Sequence, residues 1–197
     1  MYVRVFLLLF FSIFVVAQEV EEVITTGSLI KDVEANSSPV ELITKDDFDD
    51  LNINNVAEIS KYLTSSSGSH FQTNALDGVD QGMANITLRG MDHASTLVLI
   101  NKKRQTHSGT PSDEGEGYID INIIPEIALE RIEILKDGAT SLYGSDAIAG
   151  VINFQTFQQF DGMRFSLGSQ KTSNYDQRDN TVGIISVSYT HLTLPTK

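Results

Sequence analysis

The stretch "LYGSDAIAGVINFQT", Leu142 to Thr156, joins a compact loop bounded by glycines to an apolar run. The glycine spacing first suggests an enzymatic loop. A nucleophile elbow needs the pattern G-x-S-x-G, but Ser145 follows Gly144 directly. A phosphate-binding loop needs Lys after its second glycine, but Val151 follows Gly150. The stretch therefore predicts a tight loop that leads into a strand, and neither a catalytic nor a phosphate-binding site.

The first 17 residues predict a secretory signal peptide. Arg4 supplies the positive charge, and residues 5–17 are apolar apart from Ser12. This run is too short for a transmembrane helix, which needs about 20 residues. The alternative is a buried core helix, but the position and flanks favour a signal that is cut after Ala17. We therefore expect the mature protein to be exported.

The composition excludes some partners. The chain has 197 residues, a formal net charge of −12 and no cysteine. Binding to nucleic acid needs clustered Lys and Arg, so we expect no nucleic-acid partner. Without disulfides, the stability of this exported chain must come from core burial or from docking onto a larger structure.

Residues 18–38, called the leader below, are acidic and polar apart from a short β-prone run, Val23 to Thr26. The leader has too few apolar positions to form a core, so we expect it to be largely disordered in isolation. Compact structure is predicted to begin near Pro39, where "PVELIT" alternates as a strand does.

Two helices are predicted next. Thr44 and Asp47 form a capping box for "KDDFDDL", and Asn55 with Glu58 resembles a second one. The second helix is expected to place four apolar residues on one face: Val56, Ile59, Tyr62 and Leu63.

The rest of the chain predicts mainly strands and loops. Further strands are expected at 85–90, 96–101, 131–136 and 151–155, with polar loops at 72–84 and 102–117. Pro125 is placed to begin a short helix, "PEIALE", and another helical turn is expected at 140–143. After Phe160, "MRFSLGS" and "TVGIISVSY" alternate strictly and predict a long hairpin with one apolar face.

Nothing in the sequence predicts catalysis, a cofactor or a metal site. The four histidines, at 70, 93, 107 and 191, lack zinc-ligand spacing. The acidic segment 112–120 offers oxygen ligands for Ca²⁺, but it lacks EF-hand spacing and a solvated acidic loop is favoured. An exported hydrolase is disfavoured because no nucleophile–base pair can be proposed.

Four motifs in order resemble the N-terminal plug domain of the TonB-dependent outer-membrane receptors. They are "EEVITTGSLI", "PVELITKDDFDDLNINNVAEISKYL", "ITLRGMDHASTLVLIN" and "IPEIALERIEILKDGATSLYGSDAIAGVINFQT". Together they span roughly residues 21–156. One such motif alone would be weak evidence of a resemblance, but four motifs in the family's order make the resemblance specific.

The resemblance implies an α+β fold: a small mixed sheet with short helices, followed by the first hairpin of a truncated transmembrane β-barrel. The implied organisation is a signal at 1–17, a flexible TonB-box segment at 18–38, a plug at 39–157, the start of the barrel at 158–189 and a non-native or truncated tail at 190–197. A barrel of about 22 strands needs several hundred further residues, so the chain is expected to be a fragment.

The resemblance also assigns roles to residues. Four leader residues would contact TonB by strand addition: Val23, Ile24, Thr25 and Thr26. Arg89 and Lys136 would fasten the plug to glutamates of the barrel wall, although the family usually has Arg at the second position and Arg pairs better with carboxylates. A second departure is Lys102, where the family's turn normally carries Gly.

The resemblance implies roles for two further sets of residues. Four glycines would shape turns of the plug: Gly90, Gly138, Gly144 and Gly150. Six loop residues would face the solute: Asp77, Asp80, His107, Asp113, Glu114 and Glu116.

By resemblance, the plug gates active uptake of a scarce solute, such as a siderophore, cobalamin or a saccharide, across the outer membrane of a Gram-negative cell. The implied partners are TonB, the transported solute and the outer membrane. The alternative is a free periplasmic binding module that uses the plug fold without a barrel. The length of the downstream gene would separate the two.

Overall fold

The computed structural model of the chain describes Thr26 and most residues between 40 and 187. The described residues are Thr26, 40–67, 69, 82–109, 111–112, 115–158, 160, 162–171, 173 and 178–187. The expected signal peptide and the expected tail at 190–197 lie outside the described residues.

Five strands form one mixed sheet with the order β1-β4-β5-β2-β3. They are β1 Val40–Thr44, β2 Thr96–Ile100, β3 Lys103–Arg104, β4 Leu129–Leu135 and β5 Gly150–Thr156. Neighbouring strands are antiparallel except for β2 and β5, which are parallel. The strands predicted near 39–44, 96–101, 131–136 and 151–155 are therefore confirmed.

The junction between β1 and the first helix forms as its capping residues predict. The helix α1 spans Lys45–Asp50, and the Thr44 hydroxyl accepts a hydrogen bond from the Asp47 amide. The Asp47 carboxylate in turn accepts the Thr44 amide at 2.8 Å. This capping box ends the strand, starts the helix and directs Phe48 into the core, where it is fully buried.

The sheet buries both faces against different layers. On the first face, Ile132, Ile152 and Phe154 pack against α1 and the segments around residues 56–63 and 121–124. On the second face, Leu97, Leu135 and Val151 pack together with Ala139, Ala147 and Tyr143. Burial of each such side chain contributes about 1.5–3 kcal/mol, so the two apolar clusters hold the sheet between two layers.

The helices are short. The second α-helix, α2, spans Thr140–Tyr143, as predicted, and the described residues include four 3₁₀ helices at Val56–Lys61, His93–Ser95, Ile121–Ile123 and Glu126–Ala128. Pro125 precedes the last of these as its N-cap and is not inside the helix as expected. Within the described part of the chain, none of the helices combines the length and the apolar character that crossing a membrane requires.

The second predicted helix differs from expectation. Asn55 caps it through the amide of Ala57, but the helix is 3₁₀, and Glu58 accepts the amide of Asn54, not that of Asn55. The helix ends at Lys61, so Tyr62 occupies the C-cap and is 51% exposed. The expectation that Tyr62 lies on the buried face was wrong because the chain leaves the helix before that residue.

The strand predicted at 85–90 does not form. Among the residues that the structure describes, Leu88 makes an isolated bridge with Ser66 and no longer ladder. The amide of Leu88 is bound by the Thr96 hydroxyl at 3.0 Å, and the amide of Thr87 by the Ser69 hydroxyl at 2.9 Å. Because side chains bind these two amides, the described main-chain pairing of the segment with another part of the chain is limited to the hydrogen bonds that Thr87 and Arg89 make with Ser67 and Ser65.

The turn between β2 and β3 contains Lys102, at the position where the family normally has Gly. Asn101 and Lys102 have positive φ angles of 50° and 66°, which are the angles of a type I′ hairpin turn. Asn153 on β5 supports this conformation, because its side-chain oxygen accepts the Lys102 amide at 3.0 Å. The turn therefore forms without the expected glycine.

The predicted hairpin is confirmed. Strand β6, Gly162–Lys171, pairs antiparallel with β7, Arg178–Val187, and Leu167 lies opposite Val182. Along both strands the exposure alternates, and the more exposed face carries five large apolar side chains: Met163, Phe165, Leu167, Val182 and Ile184. We call these five residues the apolar row.

Candidate functional site

The second face of the sheet has a polar half at the ends of β4 and β5. Glu133 is completely buried there, and its Oε1 accepts hydrogen bonds from Gln155 Nε2 at 2.5 Å and from Arg131 Nε at 3.2 Å. The Asn153 amide lies beside the other carboxylate oxygen, Oε2, at 3.5 Å. A buried carboxylate is stable only when charge and hydrogen bonds compensate its lost hydration, and these three side chains provide both.

Thr26 of the leader is bound in this polar half. Its side chain is buried, its hydroxyl donates a hydrogen bond to Glu133 Oε2, and its oxygen accepts one from Asn153 Nδ2 at 3.2 Å. The other three residues expected to contact TonB, at positions 23, 24 and 25, lie outside the described residues. The leader is thus joined to the sheet at the last residue of its β-prone run.

Sequence reasoning missed Glu133 and Asn153. Both interrupt otherwise apolar strands, "RIEIL" and "VINFQT". A charged or amide side chain at a position that alternation assigns to a buried face was the available signal, because such a group needs a partner.

Arg89 and Lys136, expected to fasten the plug to a barrel wall, lie together at one corner of the domain. Arg89 Nη1 donates to the main-chain carbonyl of Lys136 at 3.4 Å, and Arg89 has a positive φ of 59°. The Lys136 ammonium forms an ion pair with Glu41 at 2.8 Å. Both side chains are only partly covered, so this corner presents two cations beside one carboxylate.

The loop that follows α2 is held by Arg104. The guanidinium of Arg104 donates to the carboxylate of Asp146 and to the main-chain carbonyl of Tyr143. The hydrogen bond from Arg104, followed by one from the Ser145 hydroxyl, lowers the pKa of the Asp146 carboxyl below its ordinary value. The Ser145 hydroxyl thus donates to the adjacent Asp146 carboxylate at 3.0 Å, and the lowered pKa makes this carboxylate a weaker base.

The four glycines lie at turns or close approaches. Gly90, Gly144 and Gly150 have positive φ angles of 66°, 84° and 153°. A Cβ atom on Gly138 would lie 2.9 Å from the main-chain oxygen of Ile148. Gly90, Gly144 and Gly150 thus adopt a backbone conformation that residues with a side chain disfavour. Gly138 has no room for a Cβ atom.

Of the six residues expected to face the solute, the structure describes two. His107 packs against Gly117, where a Cβ atom would lie 2.4 Å from its Nδ1 atom. The amide of Glu116 is bound by the Ser112 hydroxyl at 3.2 Å. The other four lie outside the described residues: Asp77, Asp80, Asp113 and Glu114. Among the residues that the structure describes, no group of three or more His, Asp or Glu side chains is arranged to hold a metal ion.

The described part of the chain combines a mixed five-stranded sheet, short helices and a following two-stranded hairpin. Residues 32–151 match the model of the TonB-dependent receptor plug domain. The match covers more than half of the chain, so the chain belongs to this family. The family is one of transporters and not of enzymes.

Curated relatives agree with this assignment. The vitamin B12 transporter BtuB of Vibrio vulnificus is 31% identical over 144 residues, which are 71% of this chain and 22% of the transporter. The iron-regulated outer membrane virulence protein of Vibrio cholerae is 46% identical over 72 residues, which are 36% of this chain and 11% of that protein. The chain thus spans less than a quarter of the length of these outer-membrane relatives.

Solved structures share the fold. The siderophore receptor PirA from Acinetobacter baumannii matches with a TM-score of 0.53 and 30% identity, over 74% of this chain and 21% of the receptor. A mutant of the ferric enterobactin receptor PfeA from Pseudomonas aeruginosa matches with a TM-score of 0.53 and 25% identity, over 68% of this chain and 20% of the receptor. The predicted family and fold class are therefore confirmed: a plug with a mixed five-stranded sheet and short helices, followed by a two-stranded hairpin.

Proposed function

We propose that this chain closes a transmembrane β-barrel in the outer membrane of a Gram-negative cell and gates active uptake of a scarce solute. The leader faces the periplasm, and residues 23–26 bind TonB by strand addition. TonB then pulls on the leader and displaces the plug, so that the solute passes through the barrel. The barrel begins with β6 and β7, within residues 158–189.

One observation carries this proposal: the plug sheet is followed at once by a hairpin with one apolar face. The apolar row is widely exposed, with Leu167 at 84%. The opposite face contacts the plug, because Gly183 lies against Ile127 and Gly168 against Asn54. In a transmembrane β-barrel, each strand presents apolar side chains to the lipid and polar side chains to the barrel interior, and this hairpin has the same pattern. A free periplasmic module, the alternative function, would leave these apolar side chains in water.

The relatives suggest the class of solute. They include a vitamin B12 transporter and siderophore receptors, so cobalamin and ferric siderophores are the first solutes to try.

The test is a proline in the leader of the full-length protein. Ile24→Pro removes an amide that strand pairing with TonB needs, so it should abolish uptake of labelled cobalamin or ferric siderophore while the same solute still binds to intact cells. Ile24→Val keeps the amide and the β-branched side chain and is the matched control. Unimpaired uptake by the proline variant would refute the role of residues 23–26.

A further inference from the structure

The place where the plug sheet passes into the hairpin carries an arginine that is stacked on two aromatic rings. Arg164, the third residue of β6, has its guanidinium carbon 4.6 Å from the centre of the Phe157 ring and 5.3 Å from that of Phe160. The two ring centres lie 5.6 Å apart. We call Phe157, Phe160 and Arg164 the arginine seat. Because both rings attract the cation, the seat holds Arg164 on the face of β6 that is turned toward the plug.

The arginine seat leaves the charge of Arg164 without a carboxylate. Among the residues that the structure describes, no Asp or Glu forms an ion pair with Arg164, and its Nη1 atom is enclosed without a hydrogen-bond acceptor. Stacking on rings replaces only part of the hydration that a guanidinium loses on burial, whereas a carboxylate supplies both charge and hydrogen bonds. Arg164 as a whole is only half-buried, so its side chain stays open to a partner on one side.

The neighbours of Arg164 on the hairpin offer no negative charge. Ile185 lies directly opposite Arg164 in the ladder, and Gly183 is the next residue of β7 on the same face. On β6 itself, the residues two positions away are Gly162 and Ser166, and neither carries a charge. These neighbours leave the other edge of β6 as the open side.

That other edge of β6 indicates the source of the partner. Among the described residues β6 pairs with β7 alone, so no described strand lies along its second edge. A β-barrel has no free edges, and the proposed barrel therefore places a closing strand there, about 4.8 Å away. The inward side chains of that closing strand come level with Arg164, within reach of a long side chain.

We propose that the arginine seat is a dock for an inward-facing carboxylate of the closing strand, and that this ion pair fastens the end of the plug to the barrel where its first and closing strands meet. The inference rests on the proposed function, since a closed barrel is what brings a strand to this edge. The planar fork of Arg164 suits a carboxylate better than a lysine ammonium does. Arg164 is a positioning residue here, because it touches Phe157 and the wall and not the solute.

The first experiment measures how fast the full-length protein, purified in detergent, unfolds in urea. Arg164→Met keeps a long stem but removes the charge and the donors, so the protein should unfold about tenfold faster. Arg164→Lys keeps the charge without the fork and should recover part of this loss. Arg178→Met is the matched control, because Arg178 is an exposed cation at the far end of the same hairpin, opposite Lys171. Equal rates in Arg164→Met and the parent would overturn the dock.

A second experiment identifies the partner. Each inward Asp or Glu of the closing strand is changed to Asn or Gln, both in the parent and in Arg164→Met. Removing the partner's charge should speed unfolding about tenfold in the parent and have little effect beside Arg164→Met, because the ion pair is already lost there. Asp161→Asn is the comparison, since Asp161 is the acid nearest to Arg164 in the sequence. If Asp161 alone shows this coupling, or if no acid of the closing strand does, the dock is wrong.

Two further variants keep the dock testable when Arg164→Met does not reach the membrane. Arg164→Glu combined with Arg at the partner position exchanges the charges and should restore slow unfolding, which a purely structural role of Arg164 would not do. Phe157→Leu removes one ring of the seat and should unfold about threefold faster. An exchange that restores nothing, together with a Phe157→Leu variant as stable as the parent, would contradict the proposal.

The failure of the dock is distinguishable from the failure of the proposed function. The unfolding assay uses neither TonB nor solute, so its result does not depend on the uptake test with Ile24→Pro. A full-length gene that encodes no further barrel strands would refute the proposed function. A barrel whose closing strand has no acid coupled to Arg164 would refute the dock alone.

Discussion

At the scale of single residues, the start of β5 depends on the absence of a side chain at Gly150. Its φ is 153°, and a Cβ atom there would lie 2.4 Å from the main-chain oxygen of Leu135 and 2.7 Å from Leu88 Cδ1. The oxygen belongs to β4, which pairs with β5, and therefore has little freedom to move. The glycine lets two central strands approach at the point where the loop enters the sheet.

Gly150→Ala should therefore destabilise the chain by about 3 kcal/mol, because the strained backbone and the clash with a main-chain atom add together. The free energy of unfolding from urea denaturation measures this effect. Gly109→Ala is the control, since a Cβ atom at Gly109 meets nothing within 4 Å. A loss below about 0.5 kcal/mol at position 150, the range of ordinary surface substitutions, would contradict the close approach.

The sequence allowed prediction of residues whose role is local and not of residues whose role is distant. Thr44 and Asp47 form their capping box because they lie three residues apart in the same turn. Glu133 and Asn153 both form hydrogen bonds with Thr26, which is more than 100 residues away. No local sequence pattern reveals that pairing. The polar residues at buried positions of both strands did indicate that hydrogen-bond partners existed.

At the scale of elements, periodicity predicted the sheet and the hairpin but not the irregular segments. Strand alternation survives in β6 and β7 because the two faces meet different surroundings along ten residues each. The segment 85–90 also alternates polar and apolar residues, yet hydroxyl side chains bind two of its amides and, among the described residues, it forms an isolated bridge and not a strand. The 3₁₀ geometry at Val56–Lys61 was likewise missed, since capping residues mark the start of a helix and not its pitch.

The apolar row gives the prediction at this scale. Leu167→Arg places a charge in the middle of the exposed face of β6, where lipid contact would make it cost about 2–4 kcal/mol. We expect a lower fraction of the full-length protein in the outer membrane after urea extraction. Gln170→Arg, on the opposite and less exposed face of the same strand, should insert normally. If both arginine variants insert equally well, the apolar row does not face lipid.

At the scale of the whole molecule, the border between plug and hairpin is neither continuous nor purely apolar. A cavity of about 190 Å³ lies there, lined in part by Lys45, Glu126 and Thr181. Partial burial by itself lowers the pKa of Lys45, but its hydrogen bonds to Asp49 and Glu126 outweigh this, so the pKa is raised. A border with a cavity and charged groups is easier to separate than a close-packed apolar core, which suits the proposed movement of the plug.

A reversible covalent tether tests whether the plug must separate from this hairpin. A Cβ atom on Gly183 of β7 would lie 3.3 Å from the Cβ atom of Ile127 in the plug, just below the usual separation in a disulfide of about 3.5–4.5 Å. Because the chain has no other cysteine, Ile127→Cys with Gly183→Cys can form only this intramolecular bond within the described part of the protein. The Ser166 hydroxyl, 2.5 Å from the new Cβ position, has to rotate away.

In the full-length protein, the oxidised double variant should bind solute but transport none, and a reductant should restore uptake. Each single cysteine variant, treated in the same way, should transport with and without oxidant, which separates the tether from the cost of the substitutions. Locking one plug element to β7 prevents the plug from leaving as a unit, whereas it does not involve the leader and its proposed contact with TonB. Uptake that persists in the oxidised form would therefore mean that the solute passes while this border stays closed, and that the leader's pull rearranges only part of the sheet.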